Sequence, residues 1–483
     1  MRTWHTGSLA LFVLAACRGG DKERAEVTPK ESAPVAVAAV DAAPPPVVCP
    51  SLDAAKVARF TPDLSIIDVP VPPVVDAKQT LATFYARVAR LARGAASEHV
   101  RIAMFGDSNL TADATTGRLR RQLQARFGDG GHGYVALSRP WEWYSHNDVH
   151  HDGTWKAFRQ IATSTHKVSD GHYGFANLAA ECAVPGCSAW VSTDPRPGAP
   201  IGWTTSRFDL FYLKRADGGQ FDVAIDGAVV KSIDTRAPAF EAAFERFALP
   251  DAHHELKVLV RGHGPVRLYG VALEREKPSM IVDSLGTGSL NFEQLTIVKN
   301  DTRRVQLQRR SYDLVIIQLG TNVFGTDVEN RKNAKLFVDD VRAALPGVPV
   351  LFVSPPDSME DGADKPGEPA PKHADPRLTK IAKAMPAMAE ENDAAFWDWH
   401  AAMGGADSIL TFIKKGLVEP DHVHLKKWGD ELMADRMLSA LWDGVAAHVE
   451  AHPTAGCADS AAASPSSAAA SPSATSASKT PAK

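Results

Sequence analysis

Apolar positions recur at helical spacing between Asp76 and Gly94, which predicts a helix there. Residues 100–105 (Val-Arg-Ile-Ala-Met-Phe) read as a strand ending in a tight turn at Gly106, and residues 115–127 as an amphipathic helix. Much later an unbroken apolar run, residues 314–319, stops at Gly320; such a run suits a parallel strand buried on both faces. The pattern then predicts a helix over 330–344, a strand over 348–353, a helix over 376–392, a short strand over 395–399 and a last helix over 426–449. Alternating strands and helices predict an α/β layered sheet.

The stretch 140–275 is different. Short alternating runs are separated by Ala216-Asp217-Gly218-Gly219 and Asp226-Gly227, both hairpin turn signals, and two more strands flank 262–265. This predicts an all-β sandwich inserted between the first and second recognisable strands of the α/β part. No internal repeat is visible.

The ends lack core-forming patterns. Residues 1–16 combine Arg2 with a short apolar run, too short for a span of about 20 residues. Leu14-Ala15-Ala16-Cys17 reads as the cleavage site of a secretory signal. It also resembles the lipobox of bacterial lipoproteins, which implies lipidation of Cys17; the alternative is an ordinary signal peptide. The following Ala/Pro/Val-rich stretch, with Pro44-Pro45-Pro46, reads as an extended tether, and the tail from about Ala455 as Ala/Ser/Pro low complexity.

Composition narrows the classes. The 483 residues allow two or three domains, and 53 basic against 57 acidic residues (net −4) give no support for nucleic acid as a partner. A 44% hydrophobic and 23% charged chain is an ordinary globular one, neither wholly disordered nor multispanning. Five cysteines form no CxxC zinc pattern. In an oxidising compartment Cys182 and Cys187, around Pro185-Gly186, can form a local disulfide, while Cys49 and Cys457 either join the two ends of the folded body or stay free.

Three segments at predicted strand ends bear chemistry. Gly106-Asp107-Ser108-Asn109 can present a serine hydroxyl at the carboxyl edge of a sheet, or can simply cap the next helix. Gly320-Thr321-Asn322 offers a side-chain amide to an oxyanion, or another turn. Asp421-His422-Val423-His424-Leu425 sets an acid three residues from a histidine, so the acid can orient the imidazole for general-base work. A zinc site there is the weaker alternative, with no HExxH and no second cluster at matching spacing. His146, His150 and His151 read as exposed polar loop.

In this order the three segments resemble the blocks of the SGNH (GDSL-type) hydrolases. The resemblance implies a three-layer α/β/α sandwich with a parallel, flavodoxin-like sheet, and a catalytic set of Ser108 as nucleophile, His424 as base and then acid, and Asp421 as orienting acid. The implied oxyanion donors are the Ser108 N–H, the Asn322 side chain and a glycine, Gly288 first and Gly286 second. No metal or other cofactor is implied. A β insert at this place, together with the segments Gly128-Asp129-Gly130-Gly131-His132-Gly133-Tyr134 and Asp170-Gly171-His172-Tyr173-Gly174-Phe175, is similar to the bacterial peptidoglycan O-acetylesterase subgroup, whose insert resembles a carbohydrate-binding module. One departure is Asn109, where that subgroup usually has histidine.

The expected division is a leader (1–16), a lipidated Cys17 with linker (17–75), the hydrolase domain (76–139 and 276–450), the β insert (140–275) and a low-complexity tail (451–483). The expected protein is a monomeric, lipid-anchored cell-envelope esterase, with an outer-membrane lean from Arg18, acting on an O-acetylated polysaccharide through an acyl-enzyme. A polysaccharide O-acetyltransferase and a non-catalytic glycan-binding lipoprotein are the alternatives. Trp141, Trp143 and Trp155 are expected either to stack on sugar rings or to be core.

Overall fold

The computed structural model describes residues 49–140, 143–159, 167–194, 196, 201–323, 325–359 and 373–457. The leader, Cys17, Trp141 and nearly all of the tail lie outside the described residues.

Five parallel strands form the catalytic sheet. Their spatial order is Met280–Gly286, Val100–Gly106, Leu314–Gln318, Val350–Val353, Ala395–Trp397. The second strand in sequence thus lies outside the first, and the order reverses between the first and third, at the Val100–Gly106 and Leu314–Gln318 pair. Open α/β sheets bind ligands beyond the carboxyl ends of the strands at such a reversal. Both faces of the first strand are apolar because both are covered. Ile102 and Met104 face one core with the helices Ala82–Ala92 and Lys427–Ala451. Ala103 and Phe105 face another with Phe337 and Val341 of the helix Asp327–Ala344. This is the expected three-layer α/β/α arrangement.

Several boundaries shift for local reasons. The first helix begins at Ala82 rather than near Asp76, because the Asp76 carboxylate takes the N–H groups of Thr80 and Leu81 (2.8 and 2.9 Å) and closes a turn ahead of it. The expected linker does not extend to residue 75. An Asp53-capped turn of helix, Ala54–Val57, buries Val57, and Val75 pairs with Phe396 at the edge of the catalytic sheet. Cys49 and Cys457 are disulfide-bonded, as are Cys182 and Cys187.

The interrupting segment forms two antiparallel sheets, one ordered Glu241–Ala252, Thr205–Lys214, Val266–Glu274, Leu178–Cys182, Lys156–Arg159, the other Val149–Gly153, Ser188–Thr193, Glu255–Gly262, Gln220–Ile225, Ala228–Asp234. They share one core, in which Leu210 and Leu268 of the first meet Val191, Val223 and Val258 of the second. The segment begins before residue 140, since Gly133–Ala136 already pairs with Val266–Glu274. Trp155, 6% exposed, belongs to this core, the second of its two expected readings; Trp143 is exposed.

The insert is not a tethered module. Tyr134, Phe211 and Tyr269 from its first sheet pack in the same core as Phe105 and Ile317 of the catalytic sheet. A buried ionic seam lies alongside. Glu274 of the insert accepts from Arg101 (2.9 and 2.8 Å) and Arg310 (2.6 Å), and Asp283 accepts from Arg310 (2.8 Å), Tyr312 (2.6 Å) and the Tyr134 N–H (2.8 Å). Burial opposes the charge on Glu274, but the guanidinium groups of Arg101 and Arg310 hold its carboxyl well below the usual range.

Candidate active site

The serine turn follows from tight packing at the end of the first strand. A Cβ on Gly106 would lie 2.4 Å from Leu110 Cδ1, so only glycine lets the chain fold back there. Asp107 caps the short 3₁₀ helix Ser108–Leu110 by accepting the Asn109 N–H at 3.1 Å. Capping is therefore the part Asp107 plays, whereas the Ser108 hydroxyl is left to face across the sheet edge.

It meets the last block there. Ser108 Oγ lies 2.7 Å from His424 Nε2, and His424 Nδ1 lies 2.6 Å from Asp421 Oδ2. A carboxylate can only accept, so Nδ1 carries the hydrogen and Nε2 is free to accept from the serine. The loop holding this pair is braced at both ends. Glu419 N–H donates to His424 O, Lys426 N–H to Leu417 O, and Val423 and His424 N–H both donate to Asp421 Oδ1 at 3.0 Å. These donors, with the imidazole, hold the Asp421 carboxyl well below the usual carboxylate range despite its partial burial. The same bond from Asp421, against burial, raises the His424 pKa. His422 sits at φ +57°, with its backbone oxygen bonded to Met359 N–H and its buried Nδ1 without a partner among the described residues.

On the far side of the reversal, Asn322 follows the third strand. Its Nδ2 is buried and has no partner among the described residues. A buried amide left open beside a nucleophile is what an oxyanion donor requires before substrate binds. Beyond the second strand, Thr287 N–H donates to Gly106 O at 3.0 Å, and Gly288 follows it, buried. Gly286 pairs with Gly106 inside the sheet, and a Cβ there would lie 2.8 Å from Leu110. Packing alone therefore explains why Gly286 is a glycine.

The expected exposed-histidine loop is corrected for His146, which is buried; His150 is exposed. His146 Nδ1 bonds His132 Nε2 at 2.9 Å and its Nε2 bonds Tyr144 OH at 2.8 Å. Asp113, His132 and His146 bring potential ligand atoms within 4.8 Å of one another. Arg120, however, bonds both Asp113 oxygens (2.9 and 3.1 Å), and a cation would have to stand beside that guanidinium. Burial pushes the His146 pKa down to about 3 and that of His132 well below its ordinary value, so two neutral imidazoles lie beside the buried Asp113–Arg120 ion pair.

Sequence reasoning passed over Thr321, whose hydroxyl accepts from Asn109 Nδ2 at 3.1 Å. Its position between Gly320 and Asn322 was the available signal. In the segment 128–134, Asp129 accepts the Gly131 N–H at 2.8 Å and a Cβ on Gly131 would lie 2.7 Å from Glu274 Cα; in 170–175, Asp170 accepts from Arg267 at 2.7 Å and Phe175 N–H donates to Gln306 at 2.8 Å.

Residues 262–431 match the family model described as GDSL-like Lipase/Acylhydrolase family. A solved peptidoglycan O-acetylesterase aligns with 77% of this chain and 99% of its own, at 22% identity and a TM-score of 0.63, which shows a shared fold. Family two carbohydrate esterases also align. The one from Clostridium thermocellum covers 55% of this chain and 94% of its own at 12% identity and a TM-score of 0.25. The one from Cellvibrio japonicus covers 62% and 99% at 12% identity and a TM-score of 0.23. No curated protein matches the chain significantly. The chain carries a GDSL-like lipase/acylhydrolase domain on an SGNH hydrolase fold, the framework of a carboxylic ester hydrolase.

Proposed function

We propose that this chain is an exported serine esterase that removes O-acetyl or other short acyl groups from a cell-envelope or related polysaccharide. The observation that carries the proposal is the unbroken relay Asp421 Oδ2, His424 Nδ1, His424 Nε2, Ser108 Oγ, with steps of 2.6 and 2.7 Å. His424 takes the serine proton as Oγ attacks the acyl carbonyl. The charge that forms on the carbonyl oxygen meets the Asn322 amide and the backbone N–H groups of Ser108 and Gly288. The C–O bond to the sugar breaks, His424 returns its proton to the sugar oxygen, and the acyl group stays on Ser108. A water, deprotonated by His424, then releases the acid and restores the serine.

The polysaccharide substrate is supported by the fold shared with a peptidoglycan O-acetylesterase over nearly all of that protein's length. The reading of residues 1–17 supports export and attachment through a lipid on Cys17; among the described residues no helix is long and apolar enough to cross a membrane. Acetate release from O-acetylated peptidoglycan, beside acetylated xylan, tests the substrate. Release by the wild type and none by Ser108→Ala is expected. Hydrolysis of an aryl acetate without release from either glycan would refute the polysaccharide, and inertness toward all three would refute the esterase. Cys17→Ser should move the protein out of the membrane fraction.

A further inference from the structure

The residue after the nucleophile grips the turn that carries the oxyanion amide. Val323 N–H donates to Gly320 O at 3.2 Å, so Thr321 and Asn322 are the central pair of a β-turn. One corner is wedged: Gly320 has φ +152°, and a Cβ there would lie 2.6 Å from Pro355. The other corner is bonded: Asn109 Nδ2 donates to Thr321 Oγ1 at 3.1 Å and to Asp107 Oδ1 at 2.7 Å. A primary amide nitrogen has two hydrogens, and both are committed here, so Asn109 has none left for a substrate oxygen. Asp107 is buried, and its Oδ1 also accepts the Asn109 N–H at 3.1 Å. Threonine is β-branched and stiff at χ1, so holding its Oγ1 holds the backbone beneath it. The next side chain along is Asn322, whose buried Nδ2 has no partner among the described residues.

We propose that Asn109 is a positioning residue. Anchored on Asp107, it clamps Thr321 and so keeps the Asn322 amide aimed where the oxyanion forms. The inference rests on reading Asn322 as an oxyanion donor. It also gives a task to the one residue at which the first block departs from the histidine seen in the subgroup it resembles.

A double-mutant cycle on aryl acetate hydrolysis tests it. Asn322→Ala is expected to lower kcat by about 10²-fold or more. Asn109→Ala should lower kcat by about tenfold with KM little changed, since only the aim of the donor is lost. With both changes, kcat should equal that of Asn322→Ala alone, because a clamp has nothing to do once the amide is gone. Thr321→Val should match Asn109→Ala, and Thr321→Ser should recover most of the loss. A double variant whose loss is the product of the two single losses would overturn the clamp, as would an Asn109→Ala effect confined to KM. If Asn322→Ala itself keeps wild-type kcat, the oxyanion reading falls and takes the clamp with it. Should Asn109→Ala not fold, Thr321→Val runs through the same cycle with Asn322→Ala.

Discussion

Replacing Asp421 by asparagine tests the relay at its least forgiving point. Oδ1 accepts two backbone N–H groups at 3.0 Å each, and Oδ2 accepts Nδ1–H at 2.6 Å. Asparagine has one acceptor oxygen, and the two backbone donors claim it. Its NH₂ then faces His424 Nδ1, which must accept, and the ring hydrogen moves to Nε2. Nε2 can now only donate to Ser108, so the base is switched off while the fold is kept. A triad carrying this change loses about 10⁴ in kcat, and the same is expected here. The pH profile gives a second reading. Asp421 raises the His424 pKa, and His424 works as a base only when neutral, so wild-type kcat/KM should fall away on the acid side with a midpoint above the ordinary histidine value of about 6.5. The carboxylate stabilises the protonated ring, so removing it should move the midpoint of the residual activity down. The assay is aryl acetate hydrolysis across pH, with thermal unfolding as the fold control. An asparagine variant within tenfold of wild type, or one whose acid limb does not move, would refute Asp421 as the orienting acid.

His424→Ala should cost about 10³-fold or more in kcat and His422→Ala far less, because it is His424 that bonds Ser108 Oγ; equal losses in steady-state kinetics would undo that division. Glu274→Gln leaves Arg101 buried without its carboxylate partner, and Arg310 with Asp283 alone, and should cost about 3–5 kcal/mol in urea unfolding; an unchanged midpoint would show Glu274 to be dispensable. Trp155→Ala should destabilise by about 3–5 kcal/mol through the cavity it leaves in the core of the insert. Trp143→Ala should unfold like the wild type and lower activity on polymeric glycan alone; parallel loss on the aryl ester would end the sugar-stacking idea for that residue.

Local patterns carried most of the catalytic half. The last helix, expected over 426–449, is Lys427–Ala451, and the third strand, expected over 314–319, is Leu314–Gln318. These elements are long or wholly apolar, so period and burial agree. The candidate catalytic residues were legible for a related reason: each stands directly after a buried strand or just before the closing helix. The short helices Trp399–Met403 and Ser408–Lys414 escaped notice, since one or two turns give too few repeats to reveal a period.

Chain order and residue type already held the parallel sheet and the interrupting β segment, and singled out Ser108, Asn322, Asp421 and His424 as candidates. Tertiary structure decided the rest. It ran the Gly133–Ala136 strand into the insert, buried Trp155 and His146, joined Cys49 to Cys457 and linked Asn109 to Thr321 across 212 positions of sequence separation. It also merged the insert and the catalytic sheet into one core around Tyr134 and Phe105. Periodicity reports which face of an element is apolar, because that follows from side-chain geometry within a few residues. Which distant partner covers that face, or answers a buried charge, depends on where the chain returns in space, and no local pattern encodes it.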